Sequence, residues 1–417
     1  MCRKDRLWGI GRRMNPLKLN PRARRLTCSK TGAEVPAGEA PRPWGLCRCC
    51  PGPGSPLMVR YEPDADRWKL DGAGASARGI WKYEPLLPVL EPWPGYAGDV
   101  GLTPAVRHRR LGQPLEVELW IKSENGNPSG SFKDRGLAVA IALGRACGAE
   151  RFCLPTQGNA GVAASLFSAR LGLPPCLVYM PQDYAGSAYH RAADFFGAQV
   201  EFHGPNIAAC GKRMREQFAD QLAQGTLTDV STFFEPGRLE GKKTMGLEIF
   251  EQFGAAALPE VIVYPTGGGT GLVGIWKAFE ELIALGHLSQ EQQLPRMVAV
   301  QSERCAPVVR SFHAGHDAVE TIDSAGTIAD GLDVPGAIMG HQILKVLRDS
   351  GGTAVDVTEQ AIQDAFARLG RQGVSCGYEG AATLAALEKL RADGAIGAGC
   401  RVLLLNTGGY NAALASR

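Results

Sequence analysis

From about Glu116 onward, short apolar runs alternate with stretches in which apolar positions recur every three to four residues. The runs read as strands buried on both faces, and the periodic stretches read as helices packed against them. Together they predict an α/β fold built on parallel sheets. The clearest strands are Cys176–Met180, Ala198–Phe202, Val261–Pro265, Met297–Gln301, Thr353–Val357 and Arg401–Leu405. Thr358 is placed to cap a helix running through Leu369, its hydroxyl accepting from a first-turn N–H. Residues 36–56 hold Pro36, Pro41, Pro43, Pro51, Pro53 and Pro56 among several glycines, a composition that excludes regular elements and sets an N-terminal appendage apart from the body.

Composition narrows the class. The chain has 417 residues, 45% hydrophobic and 21% charged, enough to bury two domains' worth of core. No apolar run approaches the ~18–20 residues that span a bilayer, and Met1–Ile10 lacks the apolar segment of a secretory signal, so a cytoplasmic, membrane-free protein is expected. The net charge of +3 conceals a basic arm: residues 1–30 carry +9, which leaves −6 for the rest. That arm has no aromatic interleaving beyond Trp8 and no amphipathic period, so it reads as a solvated tail rather than a nucleic-acid-binding element. Met14 is a second candidate start. Of the cysteines, Cys147, Cys153, Cys176, Cys210, Cys305, Cys376 and Cys400 are scattered through apolar surroundings as small hydrophobes, whereas Cys28, Cys47, Cys49 and Cys50 form a group.

Three segments carry chemistry. In Asn127-Pro-Ser-Gly-Ser-Phe-Lys133-Asp-Arg-Gly136 a lysine stands just before a helix, where partial burial and the positive helix end both favour a neutral amine suited to Schiff-base formation. Thr156-Gln-Gly-Asn159-Ala-Gly161 makes a turn whose N–H groups suit an anion and whose Asn159 can hydrogen-bond a phenolate or carboxylate. Thr266-Gly267-Gly268-Gly269-Thr270-Gly271 joins the strand Val261–Pro265 to a helix Leu272–Leu285, and its glycines let backbone wrap a phosphate. Two motif matches fail. Gly269-Thr-Gly271-Leu-Val-Gly274 lacks the dinucleotide fold's acidic residue about 20 positions on at the end of the next strand, which ends at Gln301 with Glu303 34 residues beyond Gly269, and Gly237-Arg-Leu-Glu-Gly241-Lys has three residues between glycines where a P-loop needs four.

In order, Ser-Phe-Lys-Asp-Arg, Gly-Asn, Arg-Leu-Glu-Gly-Lys-Lys-Thr, Gly-Gly-Gly-Thr-Gly and Asn-Thr-Gly-Gly resemble the fold-type II pyridoxal-phosphate enzymes, and among them the threonine synthase family, over roughly residues 100–410. The resemblance implies pyridoxal 5′-phosphate held by Lys133 as a Schiff base and flanked by Phe132. Asn159 then contacts its 3′ oxygen, Gly267 to Gly271 with Thr270 hold its phosphate, and Thr407 lies near the pyridine nitrogen. A neutral hydroxyl at Thr407 tempers the electron sink by leaving that nitrogen without a charged partner. The implied reaction turns O-phospho-L-homoserine and water into L-threonine and phosphate. Arg238, placed just before a helix Leu239–Phe253, is the candidate for the substrate phosphate, with Thr156 and Ser131 adding hydroxyls.

The chain departs from that family in three places. Ala160 stands where many members carry a hydroxyl, Tyr184-Ala-Gly-Ser-Ala-Tyr-His190 replaces a stretch with an asparagine, and Thr407-Gly-Gly-Tyr410-Asn replaces Thr-Gly-x-Gly-Leu-Lys. Serine or threonine dehydration and cysteine- or cysteate-forming β-replacement use the same cofactor and stay open as alternatives. The resemblance also implies a homodimer acting on a small amino acid. Its layout is a basic arm over 1–25, a zinc-ribbon-like segment over 26–70, a large cofactor domain over 71–136 and 236–417, and a small domain over 137–235. The ribbon is degenerate: Cys28, Cys47 and Cys50 are weak ligands, Thr31 occupies the place of a fourth thiolate, and Cys49 could substitute only if its loop rearranged, so a metal-free knuckle is expected.

Overall fold

The computed structural model describes residues 17–39, 44–51, 54–62 and 78–410. Most of the basic arm therefore lies outside the described residues. Its end comes earlier than residue 25, because Asn20 is buried and donates to Glu84 O and Leu87 O, both at 2.8 Å, before the first strand opens at Ala23.

Strands β1 (Ala23–Cys28), β2 (Glu34–Pro36) and β3 (Leu57–Tyr61) pair antiparallel in the order β2-β1-β3. This ordered ribbon brackets the proline-rich stretch, which itself contributes no strand beyond Pro36 among its described residues. The body carries two sheets. Strands β4 (Ala105–Arg107) and β5 (Glu118–Ser123) begin the larger one. The chain then leaves through helix α1 (Lys133–Ala146) to build the smaller sheet from β6 (Arg151–Pro155), β7 (Leu177–Met180), β8 (Gln199–Phe202) and β9 (Leu227–Asp229), all parallel in the order β8-β7-β6-β9. Helix α2 (Asn159–Arg170) connects β6 to β7. Helix α3 (Gly237–Phe253) returns the chain to the larger sheet, completed by β10 (Val261–Pro265), β11 (Arg296–Ser302), β12 (Thr353–Val357) and β13 (Arg401–Asn406). Its order is β12-β11-β10-β13-β5-β4, parallel except at the β4–β5 edge.

The apolar strands are central for a physical reason. β10 reads Val-Ile-Val-Tyr-Pro and is buried at every position, between β11 and β13, because helices cover both faces of the sheet. One face packs against α3 and helix α4 (Thr270–Ala284), the other against helix α5 (Tyr378–Ala392) and helix Glu359–Arg371. Thr358 caps the latter as expected, its hydroxyl accepting from Ala361 N–H at 3.1 Å. No helix among the described residues is long and apolar enough to cross a membrane. The described cysteines are all free thiols.

Candidate active site

Lys133 opens α1, and its neighbours fix it from several directions. Phe132 N–H donates to Thr407 O at 3.0 Å, and Ser131 bridges Gly408, so the end of β13 holds the entry to the helix. Asp134 accepts from Ser129 N–H at 2.6 Å, closing the preceding loop. Arg135 is fully buried and pairs with Glu124 and Glu248, each at 2.6 Å, which clamps α1 to β5 and α3. Against this anchored backbone, Lys133 Nζ rests 4.4 Å from the centre of the Phe132 ring. Desolvation, aided by the nearby Arg238 charge and opposed by Glu379, brings its ammonium down to about 7. Near neutral pH a large fraction of this amine is unprotonated.

Facing it, the chain leaves β10 at Pro265, crosses the triple glycine and enters α4 at Thr270. Gly269 has φ +76°, a left-handed conformation that side chains resist, and a Cβ there would lie 2.2 Å from Ile343 Cδ1. A Cβ on Gly267 would lie 2.2 Å from Gly331 O. The loop is therefore drawn tight against its surroundings, and the first N–H groups of α4, which have no carbonyl one turn back, make an anion cradle. Lys242 reaches this cradle from α3: its buried Nζ donates to Thr270 Oγ1 at 2.5 Å and sits 4.4 Å from the Phe132 ring. Desolvation first, then the Lys133 and Arg238 charges, hold its ammonium well below the ordinary lysine range.

Of the residues predicted from sequence, Phe132, Lys133, Asn159, Gly267, Gly268, Gly269, Thr270 and Thr407 line one cleft, together with Thr232, Tyr264 and Glu379. The cleft lies beyond the carboxyl ends of β10 and β13, where parallel sheets bind ligands. Asn159 is the first residue of α2. The other candidates lie outside the cleft's lining. Gly271 packs beneath it, where a Cβ would fall 1.8 Å from the Tyr264 hydroxyl. Ser131 Oγ is committed to Lys133 N–H at 3.3 Å, and Thr156 Oγ1 to Gly158 N–H at 3.0 Å, so both hydroxyls hold backbone turns.

Arg238 differs most from its expected setting. Helix α3 begins two residues earlier than the apolar pattern indicates, so Arg238 lies inside its first turn and is 2% exposed. Its Nη1 donates to Val230 O at 2.8 Å, while its Nε is buried with no partner among the described residues. Burial lowers the guanidinium to about 10, although Glu235 and Asp229 oppose the shift. Glu235, itself raised to about 7 by burial, accepts the Arg238 N–H at 3.0 Å and so caps the helix.

Sequence reasoning missed Lys242, Glu379, Tyr264 and Thr232. The signal for Lys242 lies in the Lys242-Lys243 pair, because consecutive helical residues point about 100° apart and two buried lysines there need separate partners. Lys243 has Glu240 at 2.6 Å and Glu281 at 2.8 Å. Lys242 has no carboxylate within ion-pair distance among the described residues.

A semi-neutral lysine aimed at a glycine cradle, with buried cations around it and two parallel sheets supporting it, defines a fold-type II pyridoxal-phosphate enzyme. The residues fit pyridoxal 5′-phosphate: an amine for its aldehyde, a side-chain-free loop with a helix start for its phosphate, and Asn159 and Thr407 on the walls between. Residues 96–408 match the description "Pyridoxal-phosphate dependent enzyme", and the chain belongs to that family. It is 31% identical to the threonine synthase of Methanosarcina acetivorans over 392 residues, covering 92% of this chain and 91% of that one. With the threonine synthase of Methanocaldococcus jannaschii it shares 29% over 354 residues, 84% of this chain and 85% of the other. Among solved structures, a T.th. threonine deaminase superposes with a TM-score of 0.59 at 26% identity, covering 74% of this chain and 92% of that one. Maize serine racemase does so with a TM-score of 0.62, over 74% and 88%, a likeness of fold alone at 21% identity.

Proposed function

We propose that the protein converts O-phospho-L-homoserine and water to L-threonine and phosphate. The observation that carries this reading is an excess of buried positive charge. Burial disfavours the charged forms of Lys133, Lys242 and Arg238; the Arg238 charge adds to this at Lys133, the Lys133 and Arg238 charges add to it at Lys242, and the buried acid beside them, Glu235, is itself shifted toward neutrality. One phosphate, the cofactor's, leaves part of that excess unanswered. A second, on the substrate, balances it.

The cofactor supplies an electron sink for a carbanion at the substrate's α-carbon. The glycine loop, the start of α4 and Lys242 would hold its phosphate, Asn159 its 3′ oxygen, and Thr407 would stand at the pyridine nitrogen without imposing a charge. Lys133 Nζ is both the attachment point and the base, and its value near 7 lets it accept the α-proton and return a proton to a neighbouring carbon. Arg238, with a free Nε, binds and orients the substrate phosphate until it leaves. Glu379, whose Oε1 accepts Gly331 N–H at 2.8 Å, fixes the opposite wall of the cleft.

A second reading, dehydration of serine or threonine, draws support from Tyr184 and Tyr189, whose hydroxyls feel Asp330 and Glu379, an acidic setting unlike a phosphate site. A substrate panel scored for phosphate, threonine and ammonia separates the two. The proposal expects equimolar phosphate and threonine from O-phospho-L-homoserine. Ammonia from serine or threonine without phosphate release from O-phospho-L-homoserine would overturn it.

A further inference from the structure

We propose that Cys28, Cys47, Cys49 and Cys50 hold one zinc ion, with Cys49 taking the corner that Thr31 vacates. The four Sγ atoms all lie within 4.8 Å of one another. A zinc ion with four thiolates at about 2.3 Å requires sulfur–sulfur edges of about 3.8 Å, so small side-chain shifts close the tetrahedron. Cys28 Sγ and Cys50 Sγ are 3.5 Å apart in free thiols that form no disulfide.

The sulfurs sit in a built setting. Thr31 N–H points to Cys28 Sγ at 3.5 Å and Ser55 N–H to Cys47 Sγ at 3.2 Å, the kind of backbone contact that supports a thiolate. Thr31 Oγ1 lies 3.5 Å from Cys49 Sγ. The residue standing where a second paired cysteine is expected therefore touches the sulfur that replaces it, and the 47–50 bend presents Cys47, Cys49 and Cys50 together without rearranging. Gly54 keeps that bend closed: at φ +88° a Cβ would strike Cys47 O at 2.1 Å. An all-thiolate tetrahedral set selects zinc or iron over harder ions.

The site has a structural task. The ribbon is three short strands, too small to order itself by its own core, and a bound metal supplies folding free energy. What it orders touches the catalytic body. Ser29 O accepts from Gln342 Nε2 at 2.5 Å, and the Tyr61 hydroxyl at the end of β3 donates to Glu240 Oε2 at 2.9 Å on α3, the helix that also carries Arg238 and Lys242.

The test is elemental analysis of the full-length holoenzyme, purified under reducing conditions and supplied with zinc, then dialysed against a weak chelator. One zinc per chain is expected. Cys49→Ser should lose it at least fivefold, Cys147→Ser should keep it, and Thr31→Cys in the Cys49→Ser background should restore it by returning the missing thiolate to its place. As a check independent of zinc retention, the cobalt(II)-loaded protein should show the strong d–d absorption of a tetrahedral tetrathiolate, to the red of the cofactor's band, and Cys49→Ser should weaken it. No bound metal in the wild type, iron instead of zinc after aerobic expression and zinc supply, or full zinc retention by Cys49→Ser would overturn the proposal.

Discussion

Helix α3 separates two populations of buried charge. Away from the cleft, Lys243 and Lys277 interlock with Glu240 and Glu281, and Arg135 and Lys122 interlock with Glu124 and Glu248, cation against carboxylate, at 2.6–3.1 Å in the pairs made with Glu240, Glu124 and Glu248. On the side of the cleft, the side chains of Lys133, Lys242 and Arg238 contact hydroxyl, carbonyl or ring groups, and no ion pair joins them to a carboxylate among the described residues, although the Arg238 backbone N–H bonds the Glu235 carboxylate. The first group is what a core must do with charge it cannot leave unpaired. The second is unbalanced in the protein alone, and the imbalance marks where anions of cofactor and substrate belong.

The largest effect should come from Lys133→Ala. Removing the amine abolishes the borohydride-reducible absorption of the bound cofactor and lowers turnover on the order of 10³-fold or more, with the far-UV spectrum unchanged. Reducible colour surviving on another lysine would move the attachment point.

Glu248→Gln breaks the balanced side. It strands Lys122 and leaves Arg135 with Glu124 alone, and should cost about 3–5 kcal/mol of stability by denaturant titration. A loss below about 1 kcal/mol would mean these pairs are not holding α1 to α3.

On the unbalanced side the sign differs. Arg238→Ala should lower kcat/KM for O-phospho-L-homoserine about 10–100-fold, as expected for charge-assisted contacts worth ~1.5–3 kcal/mol, with little change for serine or threonine. Lys242→Gln should weaken cofactor affinity about tenfold, yet leave the melting temperature of the cofactor-free protein unchanged or raised, because it removes an uncompensated buried cation. If Lys242→Gln destabilises the cofactor-free protein as Glu248→Gln does, the contrast between the two faces fails.

The smallest effect concerns pH. Cofactor capture by the cofactor-free protein needs the neutral amine of Lys133, so its rate should rise with pH through a midpoint of about 7. Deleting the Arg238 charge favours the ammonium and should move that midpoint upward. Stopped-flow absorbance checks it, and a downward shift would contradict the assigned cause.

Much of this was legible in the chain. β10, a continuous apolar run, and β12, apolar at Ala354, Val355 and Val357, appear with the boundaries their patterns predict, and the glycine loop and Lys133 fall on one cleft. β5 was obscured because it carries Glu118 and Lys122, and Lys122 is buried only because Glu248, 126 residues away, meets it. The strands of the ribbon escaped notice because they are short and, apart from Pro36 in β2, its prolines and glycines lie between paired strands. Arg238 shows what a motif leaves out: its identity was readable, but its burial depends on α3 starting at Gly237, which Glu235 secures through its carboxylate rather than through an apolar period. Lys242 and Lys243 look equivalent in sequence, and only the third dimension gives one of them carboxylates and leaves the other facing the cradle.

The central claim, that the cleft is built for a second anion beside the cofactor's phosphate, is tested most directly by titrating the holoenzyme with inorganic phosphate in a calorimeter. The account predicts one phosphate per chain, displaced by O-phospho-L-homoserine and weakened at least tenfold in Arg238→Ala. Binding that is absent from the wild type, or equally strong without the Arg238 guanidinium, would contradict it.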